Sequence, residues 1–134
     1  MRNFLFIFLF LTLLAGCKKD PDPTSLEIVI TEHPLGGSMQ ESLSVSFDAT
    51  MKGDEIKPIE ITIEWWWENA YHSNQKLQRT ARMAINMGGV TSRSDVFSAG
   101  EGYYFLNYYW VKIKWTDELG AHEIESHKAF CSDK

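Results

Sequence analysis

The sequence predicts an all-β domain, an antiparallel sandwich of about seven short strands. Three segments lead to this prediction, residues 43–51, 59–67 and 103–115, because apolar and polar side chains alternate along each of them. A period of two places one set of side chains in a core and the other set outside it. The roughly 110 residues from Ser25 onward suffice for one domain with its own core and are too few for two.

The N-terminal half of this domain contains the first predicted strands. Residues 26–30 ("LEIVI") alternate and then meet "HPLGGS", where a proline and two glycines predict a loop. In residues 59–67 three isoleucines occupy odd positions and are followed by Trp65 and Trp67, so these two tryptophans are expected in the core. Trp66 takes the opposite face, which it shares with glutamates.

The longest strand is predicted over residues 103–115. Its inward-facing side chains are expected at odd positions: Tyr103, Phe105, Tyr109, Val111, Ile113 and Trp115. Its outward-facing side chains are expected at even positions: Tyr104, Leu106, Tyr108, Trp110, Lys112 and Lys114. The segment "TDELGA" (116–121) predicts a short hairpin loop, because its Asp and Gly suit tight turns. On the closing strand Cys131 is expected to be a buried thiol, and a reactive or intermolecular thiol is the alternative.

Residues 73–89 fit two structures. Leu77, Ala81 and Ala84 have helical spacing, and the glycines that follow are suited to cap a helix. The same segment also carries apolar side chains at every second position from Ala81 to Met87, as a strand does. Within an all-β chain the strand is the preferred interpretation, and one short helix is the alternative.

The C-terminal part of the domain resembles a known family. A late strand that begins Gly-x-Tyr, the turn Thr-Asp-x-x-Gly at residues 116–120 and a closing strand are similar to those of bacterial immunoglobulin-like and PKD-like domains. The resemblance implies an immunoglobulin-like β-sandwich over residues 25–134, about 100 residues with some seven strands. It also implies that the third and sixth strands are neighbours in one sheet.

The N-terminus predicts export and lipid anchoring. The uncharged run "FLFIFLFLTLLAG" (4–16) is too short to span a bilayer and suits a signal peptide covering residues 1–16. Its end, Leu14-Ala15-Gly16-Cys17, resembles the lipobox of bacterial lipoproteins, which implies that Cys17 is acylated and becomes the first residue of the mature chain. An ordinary signal peptide with a nearby cysteine is the alternative. Residues 17–24 are rich in proline and charge, and they are expected to form an extended tether.

Acidic residues shortly after the cysteine resemble the surface-export signals of Bacteroidota lipoproteins. This resemblance implies the outer membrane of the cell envelope, with the outer face as one option; a simple soluble spacer is the alternative. Removal of residues 1–16 takes Arg2 from the 13 Lys and Arg residues and none of the 18 Asp and Glu residues, so the net charge falls from −5 to −6. An acidic chain of this kind argues against nucleic-acid binding, which requires a basic surface.

The candidate binding site is an aromatic platform. If the third and sixth strands are neighbours, Trp66 shares an outer face with Tyr104, Tyr108 and Trp110. Four half-exposed rings would form a patch of roughly 300–500 Å², the size at which exposed apolar surface usually has a function. Such a platform stacks on sugar rings or anchors a protein partner. Alternatively, the rings pair with each other across the strands, or residues 73–89 cover them.

The sequence contains no recognisable catalytic, cofactor or metal motif. It lacks a P-loop, a nucleophile elbow and a paired-cysteine site, and His122 and His127 are expected to point to opposite faces of a strand. The leading interpretation is therefore a lipid-anchored binding module for a glycan or a protein, and not an enzyme. A structural or inhibitory lipoprotein that binds another envelope protein ranks second, and a small hydrolase built from scattered carboxylates ranks last.

Overall fold

The computed structural model describes residues 19–37, 42–98 and 106–131. These residues form strands and connecting loops. No helix lies among them, and hence none that is long and apolar enough to cross a membrane. Eight strands are described: β1 (Ser25–Glu32), β2 (Leu43–Lys52), β3 (Ile59–Asn69), β4 (His72–Ile85), β5 (Gly89–Phe97), β6 (Asn107–Asp117), β7 (Gly120–Glu125) and β8 (Ala129–Cys131).

The strands form two antiparallel sheets, which confirms the predicted sandwich. The first sheet has the order β1-β2-β5, and the second has the order β4-β3-β6-β7 with β8 also paired to β6. The predicted neighbours, the third and sixth strands, are paired over nine positions from Ile61 opposite Trp115 to Asn69 opposite Asn107. The constant-type immunoglobulin arrangement places its fourth strand beside the fifth; here β4 instead pairs with β3 and belongs to the second sheet.

Residues 73–89 form strands, so the alternative of a helix is wrong. Ile85, Met83 and Ala81 lie opposite Ile59, Ile61 and Ile63 of β3. These side chains of β4 are buried or partly buried against the core. The period of two therefore outweighs the helical spacing in this segment, because the apolar stripe of β3 offers a partner only to an extended chain.

The core lies between the two sheets. The first sheet contributes Phe47 and Phe97, and the second contributes the isoleucines of β3, Trp65 and Tyr109, all almost completely buried. Trp67 packs against this core and remains partly exposed, so it is less buried than its position in the pattern predicts. Cys131 is fully buried, as expected, and burial raises the pKa of its thiol.

The N-terminal segment closes one end of the sandwich. Thr24 is buried; its backbone N–H donates to Glu118 and its hydroxyl donates to the carbonyl of Glu55. Two residues before Thr24, the backbone N–H of Asp22 donates to the carboxylate of Asp54. The predicted tether of residues 17–24 is therefore too long at its C-terminal side, because hydrogen bonds fix the chain to the domain from Asp22 onward.

The predicted hairpin between β6 and β7 connects the two sheets at the same end. Asp117 and Gly120 face each other across a two-residue loop, and Gly120 has φ +129°. The carboxylate of Asp117 accepts the N–H of Leu119 within the turn and the N–H of Leu26 on β1. The indole N–H of Trp115 donates to the carbonyl of the same Leu26. The hairpin therefore holds the first strand of one sheet against the other sheet.

Candidate binding face

The surface of the second sheet that points away from the core is called the outer face below. The alternation of β3 and β6 places Trp66 and Trp110 there, directly opposite each other in the strand register. On β4 the ladder is irregular at Gln78, between Leu77 and Arg79, and this irregularity brings Leu77 opposite Trp66. Leu77, Trp66 and Trp110 thus form one apolar row across three strands.

A second aromatic pair lies beside this row. Tyr108 of β6 faces Phe130 of β8, with ring centroids 5.1 Å apart and tilted planes. Phe130 is 40% exposed and Leu77 is 48% exposed, so both ends of the patch are open to solvent. The predicted platform therefore contains Trp66 and Tyr108; Tyr104 lies outside the described residues.

Trp110 differs from the prediction, because its side chain is completely buried although it belongs to the outer face. The ammonium of Lys128 lies 4.4 Å from the centroid of the Trp110 ring, in the geometry of a cation–π contact. The carboxylate of Glu68 holds this ammonium at 3.2 Å. The expectation of an exposed Trp110 ring is therefore wrong: the ring is buried, and a lysine from the segment between β7 and β8 lies over it.

Trp66 is only partly buried, and its surroundings are polar. Its indole N–H donates to Glu64 at 2.9 Å, and the ammonium of Lys112 lies 4.9 Å from its ring centroid. Burial of Glu64 would raise the pKa of its carboxyl, but hydrogen bonds from Lys114 and Trp66 and the charge of Lys112 hold that pKa below its usual value. Glu64 therefore stays ionised at neutral pH and keeps the Trp66 ring in place.

Charges on the outer face are balanced pair by pair. Lys114 lies 2.9 Å from Glu64 and 3.6 Å from Glu123, so its ammonium pairs with glutamates of both neighbouring strands. Lys128 pairs with Glu68, as described above. The face therefore has no strong field of one sign, and a highly charged ligand would have to break several ion pairs.

An open depression of about 720 Å³ lies on the same sheet, towards the hairpin between β6 and β7. Glu60, Lys114 and Glu123 are among the residues that line it. Its carboxylates are not directed at a common point, because Glu60 faces Arg82 at 3.9 Å and Glu123 faces Lys114. Within the described ranges no group of three metal-binding side chains was found.

One contact had no signal in the sequence. The imidazole rings of His33 and His127 stack at 3.8 Å, and the backbone N–H of His127 donates to Nδ1 of His33 at 3.1 Å. These residues are separated by most of the chain, so no local spacing could have linked them.

Comparisons with known proteins support the β-sandwich fold and do not indicate a function. No protein-family model matches the chain, and no curated protein matches it either. A solved structure of a β-glucosidase from Listeria innocua in complex with gluconolactone is 14% identical, with a TM-score of 0.52 over 81% of this chain and 16% of that one. Spo0M, a sporulation control protein from Bacillus subtilis, is 10% identical, with a TM-score of 0.51 over 82% of this chain and 49% of that one. This chain thus spans a small part of the glucosidase and about half of Spo0M, and at such identities the likeness concerns the β-sandwich alone.

Proposed function

We propose that this protein is a lipid-anchored binding module of the cell envelope. The anchor is Cys17, as the resemblance of Leu14–Cys17 to a lipobox implies. Since hydrogen bonds fix the chain from Asp22 onward, four residues lie between the anchor and the domain. Four extended residues span about 14 Å, so the domain would stand close to the membrane surface. The membrane that we propose is the outer membrane of the cell envelope.

The anchor is tested by replacing the acylated side chain. Cys17→Ser removes the thiol, so we expect loss of metabolic palmitate labelling and release of the protein from the membrane fraction. Cys131→Ser is the matched control, because it removes the other cysteine, which is buried in the domain. Unchanged palmitate labelling of the Cys17→Ser variant would rule out the anchor.

The orientation of the sheet favours a ligand on the far side of the domain from the membrane. The chain enters the domain beside the start of β3, and Trp66 lies seven residues further along this strand. At about 3.3 Å per residue this separation is about 23 Å. The aromatic pairs therefore occupy the half of the outer face that is remote from the anchor.

We infer that the ligand is an uncharged glycan and that the protein binds it without catalysing a reaction. The observation that carries this inference is the composition of the outer face, where Trp66 lies among paired acidic and basic side chains. An aromatic ring offers an apolar surface to the C–H side of a sugar, and the surrounding carboxylates, amides and ammonium groups bond to hydroxyls. The balanced charge disfavours a strongly acidic or basic ligand.

The ligand is tested with a panel of uncharged gluco-, galacto- and manno-hexaoses, titrated against the intact lipoprotein in detergent. We expect at least one of them to bind, and Trp66→Ala to weaken that binding by tenfold or more, which corresponds to a loss of at least about 1.4 kcal/mol. Val29→Ala is the control, because Val29 is an exposed apolar side chain on the other sheet. Failure of every oligosaccharide to bind would contradict the glycan proposal and favour a lipoprotein that binds another envelope protein.

A further inference from the structure

We propose that Lys128 is a displaceable cover over Trp110, and that Trp110 is a second contact for the same glycan beside Trp66. This inference rests on the proposed function for the identity of the ligand. The cover itself is a property of the protein alone. The two parts can therefore succeed or fail separately.

The first observation is an indole N–H without a hydrogen-bond partner. Among the described residues, Trp110 contributes the buried side-chain N–H for which no acceptor is found. A buried donor without a partner destabilises a protein unless something compensates. Tryptophans in a core usually avoid this cost; the indole N–H of Trp65 donates to Asp95 at 2.7 Å, and that of Trp115 to a backbone carbonyl. The N–H of Trp110 is thus a buried donor without an acceptor, and a ligand oxygen that reaches it would supply one.

The second observation is the weakness of the cover. Lys128 keeps 38% of its side chain exposed, and it is held by a cation–π contact to Trp110 and an ion pair with Glu68. Both kinds of contact are weak when one partner is in contact with water. A rotation of the Lys128 side chain therefore uncovers the ring without any movement of the strands.

The third observation is the position of the covered ring. Trp110 lies directly opposite Trp66, and paired strands are about 4.8 Å apart. A ligand that stacks on Trp66 has two next neighbours: the ring of Trp110 on β6 and the Lys128 side chain that lies over this ring. The strand spacing is similar to the length of one sugar unit, so successive units of an extended chain can meet the two rings in turn. The exposed side chain of Phe130 lies beyond them on β8.

These observations define the chemistry of the second contact. The ligand supplies an apolar ring face and an acceptor oxygen, which takes the N–H of Trp110, and it displaces an ammonium group. A hydroxyl-bearing, uncharged sugar has all of these properties. An anionic ligand would instead retain Lys128 as its partner and would leave the ring covered.

The cover is tested without any ligand, by acrylamide quenching of tryptophan fluorescence in the intact lipoprotein. Lys128→Ala should raise the quenching constant, and this rise should disappear when Trp110→Phe is added. Lys52→Ala is the matched control, because Lys52 is an exposed lysine of the first sheet that pairs with Glu27 at 3.7 Å. Unchanged quenching in Lys128→Ala would overturn the cover, whatever the glycan experiment shows.

The second contact is tested by titration of the same variants with the hexaose panel. Lys128→Ala should tighten binding about two- to fivefold, because the ligand no longer has to displace the lysine. Trp110→Phe keeps an aromatic ring and removes the N–H, so it should weaken binding and abolish the gain. Equal affinities in wild type, Lys128→Ala and Trp110→Phe would overturn the second contact while the proposed function survives. Absence of binding in all of them would overturn the contact together with the proposed function, and quenching would still decide the cover.

Discussion

At the residue scale, Trp65 combines two stabilising roles. Its ring is fully buried and stacks on Phe97 of the first sheet, with centroids 5.6 Å apart. Its N–H donates to Asp95 of β5, and the guanidinium of Arg79 lies 3.2 Å from the same carboxylate oxygen. A carboxylate facing the core is costly unless its oxygens are paired. The N–H of Trp65 and the charge of Arg79 supply that pairing and join the two sheets.

Gly36 is a second residue whose role is visible only in the folded protein. The pattern "HPLGGS" predicts a turn, and glycine in a turn usually serves to permit unusual backbone angles. In the structure a Cβ atom at Gly36 would clash with the carbonyl oxygen of Phe130. Glycine is therefore required there because the loop after β1 passes directly over the backbone of β8.

At the element scale, the segment 126–128 determines much of the candidate site. It interrupts the pairing of β7 and β8 with β6, and Ser126 replaces part of the ladder: its N–H donates to the carbonyl of Val111, and its hydroxyl accepts the N–H of Val111. Irregularities of this kind redirect side chains. Here the segment places Lys128 over Trp110 and His127 against His33.

The contact between these two histidines predicts a pH dependence of stability. Burial and the neighbouring His127 lower the pKa of His33 below its usual 6.5, and Nδ1 must be unprotonated to accept the N–H of His127. A base whose pKa is lower in the folded state favours folding above its unfolded pKa. This stabilisation is lost as the pH falls below about 6.5 towards the folded value.

His33→Asn tests this dependence, because the amide oxygen of Asn can accept the same N–H and does not titrate. Urea unfolding at about pH 7.5 and about pH 5.5 should show a larger loss of stability in the wild type than in the variant. The same loss in both proteins would mean that other groups cause the pH dependence.

The strands, the pairing of β3 with β6 and the β6–β7 hairpin could be predicted from the sequence, and the side-chain contacts between distant segments could not. The period of two in residues 59–67 and 103–115 depends on local geometry, so it correctly placed Trp65 in the core and Trp66 outside. The same parity put Trp110 on the correct face and gave the wrong exposure, because exposure also depends on side chains from distant parts of the chain, such as Lys128, whose ammonium lies over the ring. The docking of Thr24 was missed for the same reason, since its partner Glu118 is 94 residues away.

At the scale of the whole molecule, the second sheet has one face that packs in the core and one face that we propose for recognition. Its inner face carries the isoleucines of β3 and Trp65 against the first sheet. Its outer face carries the aromatic rows, balanced charges and a lysine over each of Trp66 and Trp110. The first residues of the domain and the β6–β7 hairpin close the end nearest the proposed anchor, so they leave the half of the outer face that carries Trp66 uncovered.

The division of the sheet into two faces is tested most directly by measuring unfolding free energy and glycan affinity for Trp65→Ala and Trp66→Ala. Trp65→Ala should lower the unfolding free energy by about 3–5 kcal/mol, as large core truncations do. Any folded fraction of this variant should bind the hexaose as the wild type does. Trp66→Ala should cost only about 1 kcal/mol, for the hydrogen bond to Glu64 and the cross-strand contacts, and should lose binding. Equal losses of stability at both positions, with binding unaffected by Trp66→Ala, would contradict the assignment of the outer face to recognition.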